Sequence, residues 1–177
     1  MKKFYFIAFA ALMLMTGCEK ETAVTITDIR TKAELTGKVT YAPGYTTTDY
    51  GKNISTLDNV AAAGQTLVFE VNYSSYGYQA TGKKVFETTI ETDGSFTISI
   101  PVPESQSLSI SDVYVRPFFV EDYADYMLNK QDVYVIVPTR AYYAGNLYFS
   151  NMVTTIEANN TYYIGKANLS ASEVISE

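Results

Sequence analysis

The chain has 177 residues, with 13 Lys and Arg against 19 Asp and Glu, a single Cys and no His. This length fits one domain, or at most two small ones. The net charge of −6 argues against a nucleic-acid partner, because proteins of that class need a basic face to displace phosphate counterions. The absence of His removes the commonest general base and the commonest metal ligand.

The first 17 residues have the pattern of a signal peptide. Lys2 and Lys3 precede an apolar run from Phe4 to Met15, which is too short to span a bilayer, since a helical span needs about 20 residues. The segment Leu14-Met15-Thr16-Gly17-Cys18 resembles the lipobox of bacterial lipoproteins, which has a small residue before the Cys. The resemblance implies cleavage before Cys18 and lipid modification of that residue. An ordinary secretory signal with an incidental Cys is the alternative.

This interpretation divides the chain into a signal peptide at 1–17, a lipidated tether at 18–31 and one domain at 32–177. An acylated Cys18 would anchor the protein in a membrane, since each buried CH2 contributes roughly 0.8 kcal/mol. The charged segment Glu19-Lys20-Glu21-Thr22 resembles the signal that sends some Gram-negative lipoproteins to the outer leaflet of the outer membrane. We therefore expect an outer-membrane lipoprotein that is a candidate for surface display. A plain solvated tether is the alternative, and the leaflet stays open.

After the tether, apolar and polar residues alternate with a period of two. The ranges 35–41 and 67–73 show the alternation of half-buried strands. Asp93-Gly94 lies between two apolar runs and predicts a β-hairpin, because Gly adopts positive φ at low cost. Pro101 ends the second of these strands, since Pro cannot donate to a ladder. The two runs of this hairpin lie at 85–90 and 96–100, and further strand candidates lie at 113–120, 133–137, 146–149 and 161–169.

Two stretches depart from this pattern. Pro43 to Gly64 is rich in Thr, Gly, Asn and Asp, and it is either an ordered loop or contains a strand, near Ile54 to Leu57 or from Val60. Tyr123 to Asn129 is the one segment that favours a short helix. The whole pattern predicts an all-β fold, an antiparallel β-sandwich of about seven to eight strands that is Ig-like or transthyretin-like.

The order of motifs from Leu35 to Pro103 resembles the carboxypeptidase regulatory-like (transthyretin-like) β-sandwich modules. These modules have a Gly-containing first strand, here Leu35-Thr36-Gly37-Lys38-Val39, and an apolar second strand, here Leu67-Val68-Phe69-Glu70-Val71. A Thr-rich strand, Asp-Gly and an aromatic strand that ends in Pro follow. The match covers under half of the chain, and the family's short first loop is replaced by Pro43 to Gly64. The resemblance implies a non-catalytic accessory or adhesive module.

Few residues of the chain are suited to catalysis. Because Cys18 is assigned to lipid, only a Ser-Lys or carboxylate-based site remains. Glu121, Asp122 and Asp125 form the densest acidic cluster, which suits a glycosidase pair or calcium, although a solvated loop is the simpler interpretation. We expect no enzyme activity, no cofactor and no metal beyond these weak candidates. Five charged residues are interpreted as turn or solvent-facing residues: Asp28, Asp93, Asp112 and the pair Lys83-Lys84.

Tyrosine is the unusual component, with 16 residues against no Trp. Most tyrosines should fill the core and pair across strands. Two groups lie beside glycines, where Tyr offers rigid, amphipathic contact area at low entropic cost. These candidates for a binding surface are Tyr73, Tyr76, Tyr78, Tyr142, Tyr143 and Tyr148.

Our leading functional hypothesis is a non-catalytic binding or structural module, held to the membrane through the lipid on Cys18. The expected partner is an envelope protein or a polysaccharide, and not a nucleic acid. Two alternatives belong to other classes. One is a fimbria-like adhesion subunit that exchanges strands between chains. The other is a small carboxylate-dependent glycoside hydrolase.

Overall fold

The computed structural model describes residues 26–48, 53–56, 58–121, 126–130, 133–137 and 139–176. Two 3₁₀ turns, Ile26–Asp28 and Tyr73–Tyr76, accompany fifteen strands within these residues. None of the described residues belongs to a helix that is long and apolar enough to cross a membrane. The strands are β1 (Lys32–Tyr41), β2 (Tyr45–Thr48), β3 (Asn53–Thr56), β4 (Val60–Ala61), β5 (Thr66–Asn72), β6 (Lys83–Thr89), β7 (Ser95–Pro101), β8 (Ser107–Val115), β9 (Phe118–Val120), β10 (Tyr126–Lys130), β11 (Val133–Val137), β12 (Thr139–Tyr143), β13 (Thr155–Glu157), β14 (Thr161–Leu169) and β15 (Glu173–Ser176).

Two four-stranded sheets form the body of the molecule. In the first sheet β1 pairs with β14 on one edge and with β7 and β4 on the other. The second sheet has the order β13-β8-β5-β6. The fold is therefore all-β and consistent with the predicted β-sandwich, and these two sheets together hold eight strands. The β1–β14 pair is parallel and is an exception to the predicted antiparallel pairing.

The remaining strands lie outside these two sheets. A third sheet has the order β15-β12-β9, and β2–β3 and β10–β11 form separate two-stranded hairpins. The stretch from Pro43 to Gly64 thus contains strands. Of the two alternatives for this stretch, a loop or a segment with a strand, the second is correct. Strand β10 pairs with β11 along its whole length, so the short helix expected around Tyr123 to Asn129 is wrong for the described part, where the ladder satisfies the backbone.

Residues 146–151, here called the crossing segment, were predicted to begin as a strand. In the structure they make only an isolated bridge, between Asn146 and Tyr114 of β8. The backbone N–H of Leu147 donates to the carbonyl of Val113 at 2.7 Å, and that of Ser150 donates to the carbonyl of Lys166 at 3.0 Å. The crossing segment therefore passes from the second sheet to the first and closes one side of the sandwich.

The Asp93-Gly94 turn lies where the sequence predicted it, but it does not close a hairpin. Gly94 has φ of 84°, and the N–H of Ser95 donates to Asp93 Oδ1 at 2.9 Å. Strand β6 pairs with β5 in the second sheet, whereas β7 pairs with β1 in the first. The predicted hairpin is therefore wrong. A local turn signal does not choose a partner strand, and each of these strands pairs within a different layer.

An aromatic side chain from β7 fills the centre of the core. Phe96 is 2% exposed, and its ring centroid lies 5.9 Å from that of Phe69 in the second sheet and 5.6 Å from that of Phe149 in the crossing segment. Its partner in the β1–β7 ladder is Gly37. A Cβ at Gly37 would lie 2.9 Å from two carbons of the Phe96 ring and 2.8 Å from the carbonyl oxygen of Gly165. The absence of a side chain at Gly37 therefore provides the space that Phe96 occupies.

The sandwich has two ends, which we call the near pole, where β1 begins, and the far pole, where β1 ends. Strand β1 has 10 residues and spans about 33 Å at the usual strand rise. At the near pole, Thr31 and Val102 exchange hydrogen bonds, with Thr31 Oγ1 at 2.6 Å from the carbonyl of Val102. At the far pole, Tyr41 of β1 contacts Tyr143 of the third sheet, with ring centroids 5.2 Å apart. The first described residues and the third sheet thus lie at opposite ends.

Replacement of Phe96 by Ala should lower the free energy of unfolding by about 3–5 kcal/mol, because it leaves a cavity between the two sheets. The measurement is urea denaturation followed by far-UV circular dichroism. Thr97→Ala is the matched control, since Thr97 is the exposed neighbour on the same strand. A loss below about 1 kcal/mol for Phe96→Ala would contradict the central position of this ring.

Candidate functional site

The predicted tyrosine surface does not exist as one surface. Tyr73, Tyr76 and Tyr78 lie at the near pole, because β5 runs from the far pole to the near pole and they follow its end. Tyr142 and Tyr143 belong to β12 in the third sheet, at the far pole. The sixth candidate, Tyr148, lies on the crossing segment between the poles and is 86% exposed. These positions separate the six candidates into three places.

Two of the six tyrosines are core residues, so their assignment to a binding surface is wrong. Tyr76 is buried, and its hydroxyl donates to the carbonyl of Pro101 at 3.1 Å. Burial, followed by the neighbouring Tyr78, raises the pKa of the Tyr76 hydroxyl above its ordinary value. Tyr143 is also buried, and its hydroxyl donates to the carbonyl of Ala42. Both side chains place their rings in apolar surroundings and use the hydroxyl to satisfy a backbone carbonyl.

The remaining near-pole tyrosines pack against each other. The rings of Tyr73 and Tyr78 are half-buried and meet edge to face, with centroids 6.3 Å apart. Gly82 lies beside the Tyr73 ring, since a Cβ there would be 3.4 Å from it. The N–H of Tyr73 also donates to the carbonyl of Gly82 at 3.1 Å. These contacts stabilise the connection between β5 and β6 and leave little aromatic surface for a ligand.

An exposed aromatic group lies at the other end of the molecule. On the outward face of the third sheet, Phe119 of β9 pairs with Tyr142 of β12, and their ring centroids are 5.0 Å apart. The guanidinium carbon of Arg140 lies 5.3 Å from the centroid of the Phe119 ring, within the range of a cation–π contact. Phe119 is 52% exposed. We call Phe119, Arg140 and Tyr142 the far-pole patch.

The opposite face of the third sheet explains why this patch faces outward. Phe118 stacks on Tyr143 with centroids 5.1 Å apart and an interplanar angle of 10°, and it also meets Tyr41 at 5.7 Å. Because side chains alternate across a strand, packing Phe118 and Tyr143 on the sandwich turns Phe119 and Tyr142 to the other side. Sequence reasoning missed Phe119 and Arg140. The alternation in Phe118-Phe119-Val120 was a signal, but only the register decides which ring is inside.

The outer face of the second sheet carries a network of charges. Lys83 Nζ donates to Glu70 Oε2 at 2.7 Å and also to Asp112, and Tyr114 donates to Glu70 Oε1 at 3.1 Å. Hydrogen bonds to Asp112 and then to Glu70 raise the pKa of Lys83 above its ordinary value. Two earlier interpretations are therefore corrected: Lys83 holds two carboxylates together instead of only facing solvent, and Asp112 belongs to β8 and not to a turn. Asp93, by contrast, lies in a turn beside the first sheet, and hydrogen bonds from Ser95 and then from Lys38 lower its pKa.

The acidic cluster is only partly described. Glu121 is exposed and directly follows β9, whereas Asp122 and Asp125 lie outside the described residues, as does Cys18. No group of three or more His, Cys, Asp or Glu side chains within the described ranges is arranged to hold a metal ion. A polar cleft of about 400 Å³ lies at the near pole, away from Glu121. Its lining consists of Glu104, Ser105, Gln106, Ser107, Glu157 and Ala158.

Comparisons with models of protein families, with curated proteins and with solved structures find no match to this chain.

Replacement of Lys83 by Met should lower the unfolding midpoint, because Glu70 and Asp112 are directly opposite in the β5–β8 ladder and would repel each other. The loss should be largest at low ionic strength, since salt screens exposed charges. A raised lysine pKa contributes stability that is present below the ordinary value of 10.5 and lost as the pH rises through the folded-state value, so the difference should persist at neutral pH and shrink at high pH.

The measurement is urea denaturation at two salt concentrations and at neutral and alkaline pH. Lys32→Met is the matched control, because Lys32 is an exposed lysine of the first sheet. Equal midpoints for the Lys83 and Lys32 variants at low salt would show that the network contributes nothing.

Proposed function

We propose that this protein is a lipid-anchored, non-catalytic module of the cell envelope that docks a protein partner through the far-pole patch. The observation that carries the proposal is the outward Phe119–Tyr142 pair with Arg140 over the Phe119 ring. The carboxypeptidase regulatory-like resemblance supports the same class, since it implies an accessory or adhesive module.

The composition of the patch fits protein recognition. Aromatic residues and Arg are enriched at protein interfaces and dominate their hot spots. The cation–π contact holds the Arg140 guanidinium in place, and within the described residues its Nε is buried without a hydrogen-bond partner. Ile175 of β15, which pairs with Arg140 in the ladder and is half-buried, adds apolar area beside the rings. An ordered cation among rings is already arranged for binding and loses little side-chain entropy on docking.

The position of the patch fits an anchor on Cys18. The chain between Cys18 and Ile26 spans at most about 28 Å when fully extended. Ile26 belongs to the segment at the near pole, where Thr31 is bonded to Val102. A membrane anchor on this tether therefore favours an orientation in which the near pole faces the bilayer. The far-pole patch would then point away from the membrane, toward partners in the surrounding compartment.

Replacement of Cys18 by Ala should release the protein from membranes, because the lipid-bearing residue is lost. Fractionation of cells into membrane and soluble parts, followed by immunoblotting, measures this distribution. Ser170→Ala, at an exposed position of the domain, is the control for expression and export. Unchanged membrane partitioning of the Cys18 variant would refute the anchor.

The partner should be accessible to a photo-crosslinking residue placed at the patch. We expect benzoylphenylalanine at Phe119 to give a protein adduct in cells, whereas the same residue at Val85, which is 43% exposed on the second sheet, gives none. Mass spectrometry identifies the adduct. Tyr142→Ala should weaken binding of the purified partner about tenfold or more, as is usual for a hot-spot aromatic.

Adducts of equal yield at Phe119 and Val85, or an unchanged affinity in the Tyr142 variant, would contradict docking through this patch. Failure of the anchor alone would leave the docking prediction standing, because the two tests change different residues and measure different properties.

A further inference from the structure

We propose that a different surface, the outward face of the first sheet along β14 together with the adjoining edge of that strand, binds an extended acidic polysaccharide. Its two aromatic residues are Tyr148 and Tyr163, which are 86% and 57% exposed. Among the residues whose exposure the structure describes, no aromatic side chain is more exposed than these two. This surface goes beyond the proposed function, because it lies apart from the far-pole patch and has a different chemistry. We call it the β14 face.

The backbone places both tyrosines beside the same strand. The N–H of Ser150 donates to the carbonyl of Lys166, and the N–H of Asn151 donates to the carbonyl of Ile164, each at 3.0 Å. The crossing segment thus contacts the edge of β14 that faces away from β1. Tyr148 lies between Leu147, which bonds to β8, and Ser150, so it is at the side of the sandwich next to β14. Tyr163 belongs to β14 itself and is exposed on the outward face of the sheet. Both tyrosines therefore border β14, one on its outward face and one at its edge.

The surface between the tyrosines is polar. Tyr163 pairs with Thr36, Lys166 pairs with Lys38, and Asn168 pairs with Thr40 in the β1–β14 ladder. Thr40 Oγ1 donates to Asn168 Oδ1 at 3.1 Å, which leaves the amide N–H groups of Asn168 available as donors. Within the described residues, no hydrogen bond uses the Tyr148 hydroxyl, the Tyr163 hydroxyl or the Lys166 ammonium group. Unused donors and acceptors thus lie between two exposed rings.

This chemistry fits a saccharide better than a protein. A pyranose ring presents C–H groups on its faces and hydroxyl groups around its rim, so it can stack on a Tyr ring while its hydroxyls bond to Thr, Asn and Lys. Protein interfaces, by contrast, have an apolar and largely uncharged centre. The β14 face combines hydroxyl, amide and ammonium groups with two exposed aromatic rings. An extended chain that contacts both rings at once is therefore the occupant that this surface fits.

The charge on the β14 face selects an acidic chain. Lys38 and Lys166 are direct partners across β1 and β14, and like charges at such positions repel each other. Lys38 is paired with Asp93 at 3.1 Å, while Lys166 has no ion pair within the described ranges. A carboxylate on the polysaccharide would relieve this repulsion by pairing with Lys166. Of the other charged residues on this face of β1, Lys32 and Glu34 offset each other in formal charge, so Lys166 is the cation that no partner within the described residues neutralises.

Affinity electrophoresis of the purified full-length protein tests the proposal. Native gels that contain polygalacturonate, alginate or hyaluronan should retard the protein, whereas gels that contain the neutral polymer dextran should not. Tyr148→Ala and Tyr163→Ala should each weaken binding about tenfold, which corresponds to about 1.4 kcal/mol. Lys166→Gln should weaken binding to the acidic polymers. It should also make that binding less sensitive to salt, because one charged contact is lost. All three positions are exposed, so circular dichroism should show unchanged folding.

Tyr142→Ala, in the far-pole patch, is the matched control and should bind the acidic polymers like the wild type. The proposal is overturned if none of the three acidic polymers retards the protein, if dextran retards it equally, or if Tyr142→Ala weakens binding as much as the β14-face variants. Because the Tyr142 variant also tests protein docking, failure of one surface is distinguishable from failure of the other.

Discussion

The packing of one aromatic ring into the space over a glycine is the contact on which the sandwich depends. Phe96 occupies the space that a side chain at Gly37 would take, and it reaches Phe69 in the opposite sheet. The same glycine brings β1 close to β14, because the carbonyl of Gly165 lies within contact range of the missing Cβ. The parallel β1–β14 pair shifts register at this point. One close approach thus joins both edges of β1 and connects the two layers.

This contact also decides which surfaces are available for binding. Once Phe96 and its neighbours fix the inward side of β1, β7 and β14, the alternation of side chains turns Thr36, Tyr163 and Lys166 outward. At the far pole, Phe118 and Tyr143 pack against Tyr41 at the end of β1. Their neighbours Phe119 and Tyr142 must therefore face away from the sandwich. The exposed residues of both proposed sites are therefore consequences of the core packing.

The fold was predictable to the extent that its signals are local. The two-residue alternation predicted an all-β fold, and Asp93-Gly94 predicted a tight turn at the right position. The choice of partner strands was not local. The turn signal suggested a β6–β7 hairpin, yet β6 and β7 pair in different sheets, because burial against the opposite layer depends on residues far away in the chain. The parallel β1–β14 pair likewise joins strands that are over 120 residues apart, since Thr36 pairs with Tyr163. No local sequence pattern predicted this pairing.

For the candidate sites, composition suggested that aromatic residues would be exposed, but the strand register decides which of them are. The abundance of Tyr suggested aromatic surfaces, but proximity to glycine selected Tyr76 and Tyr143, which are buried, and overlooked Tyr163, which is exposed. Tyr162 and Tyr163 are adjacent and chemically identical, so only the strand register decides which one faces the core.

The charges distinguish the three outer faces in a way that composition does not reveal. On the second sheet Lys83 is bonded to its own carboxylates, and that face therefore has little attraction left for a charged ligand. On the first sheet Lys166 has no such partner within the described residues, and on the third sheet Arg140 contacts a ring instead of a carboxylate. A cation that is not neutralised by its own chain remains available to a ligand or partner. We therefore expect recognition at the outer faces of the first and third sheets. On the second sheet, ion pairs within the chain already neutralise Lys83.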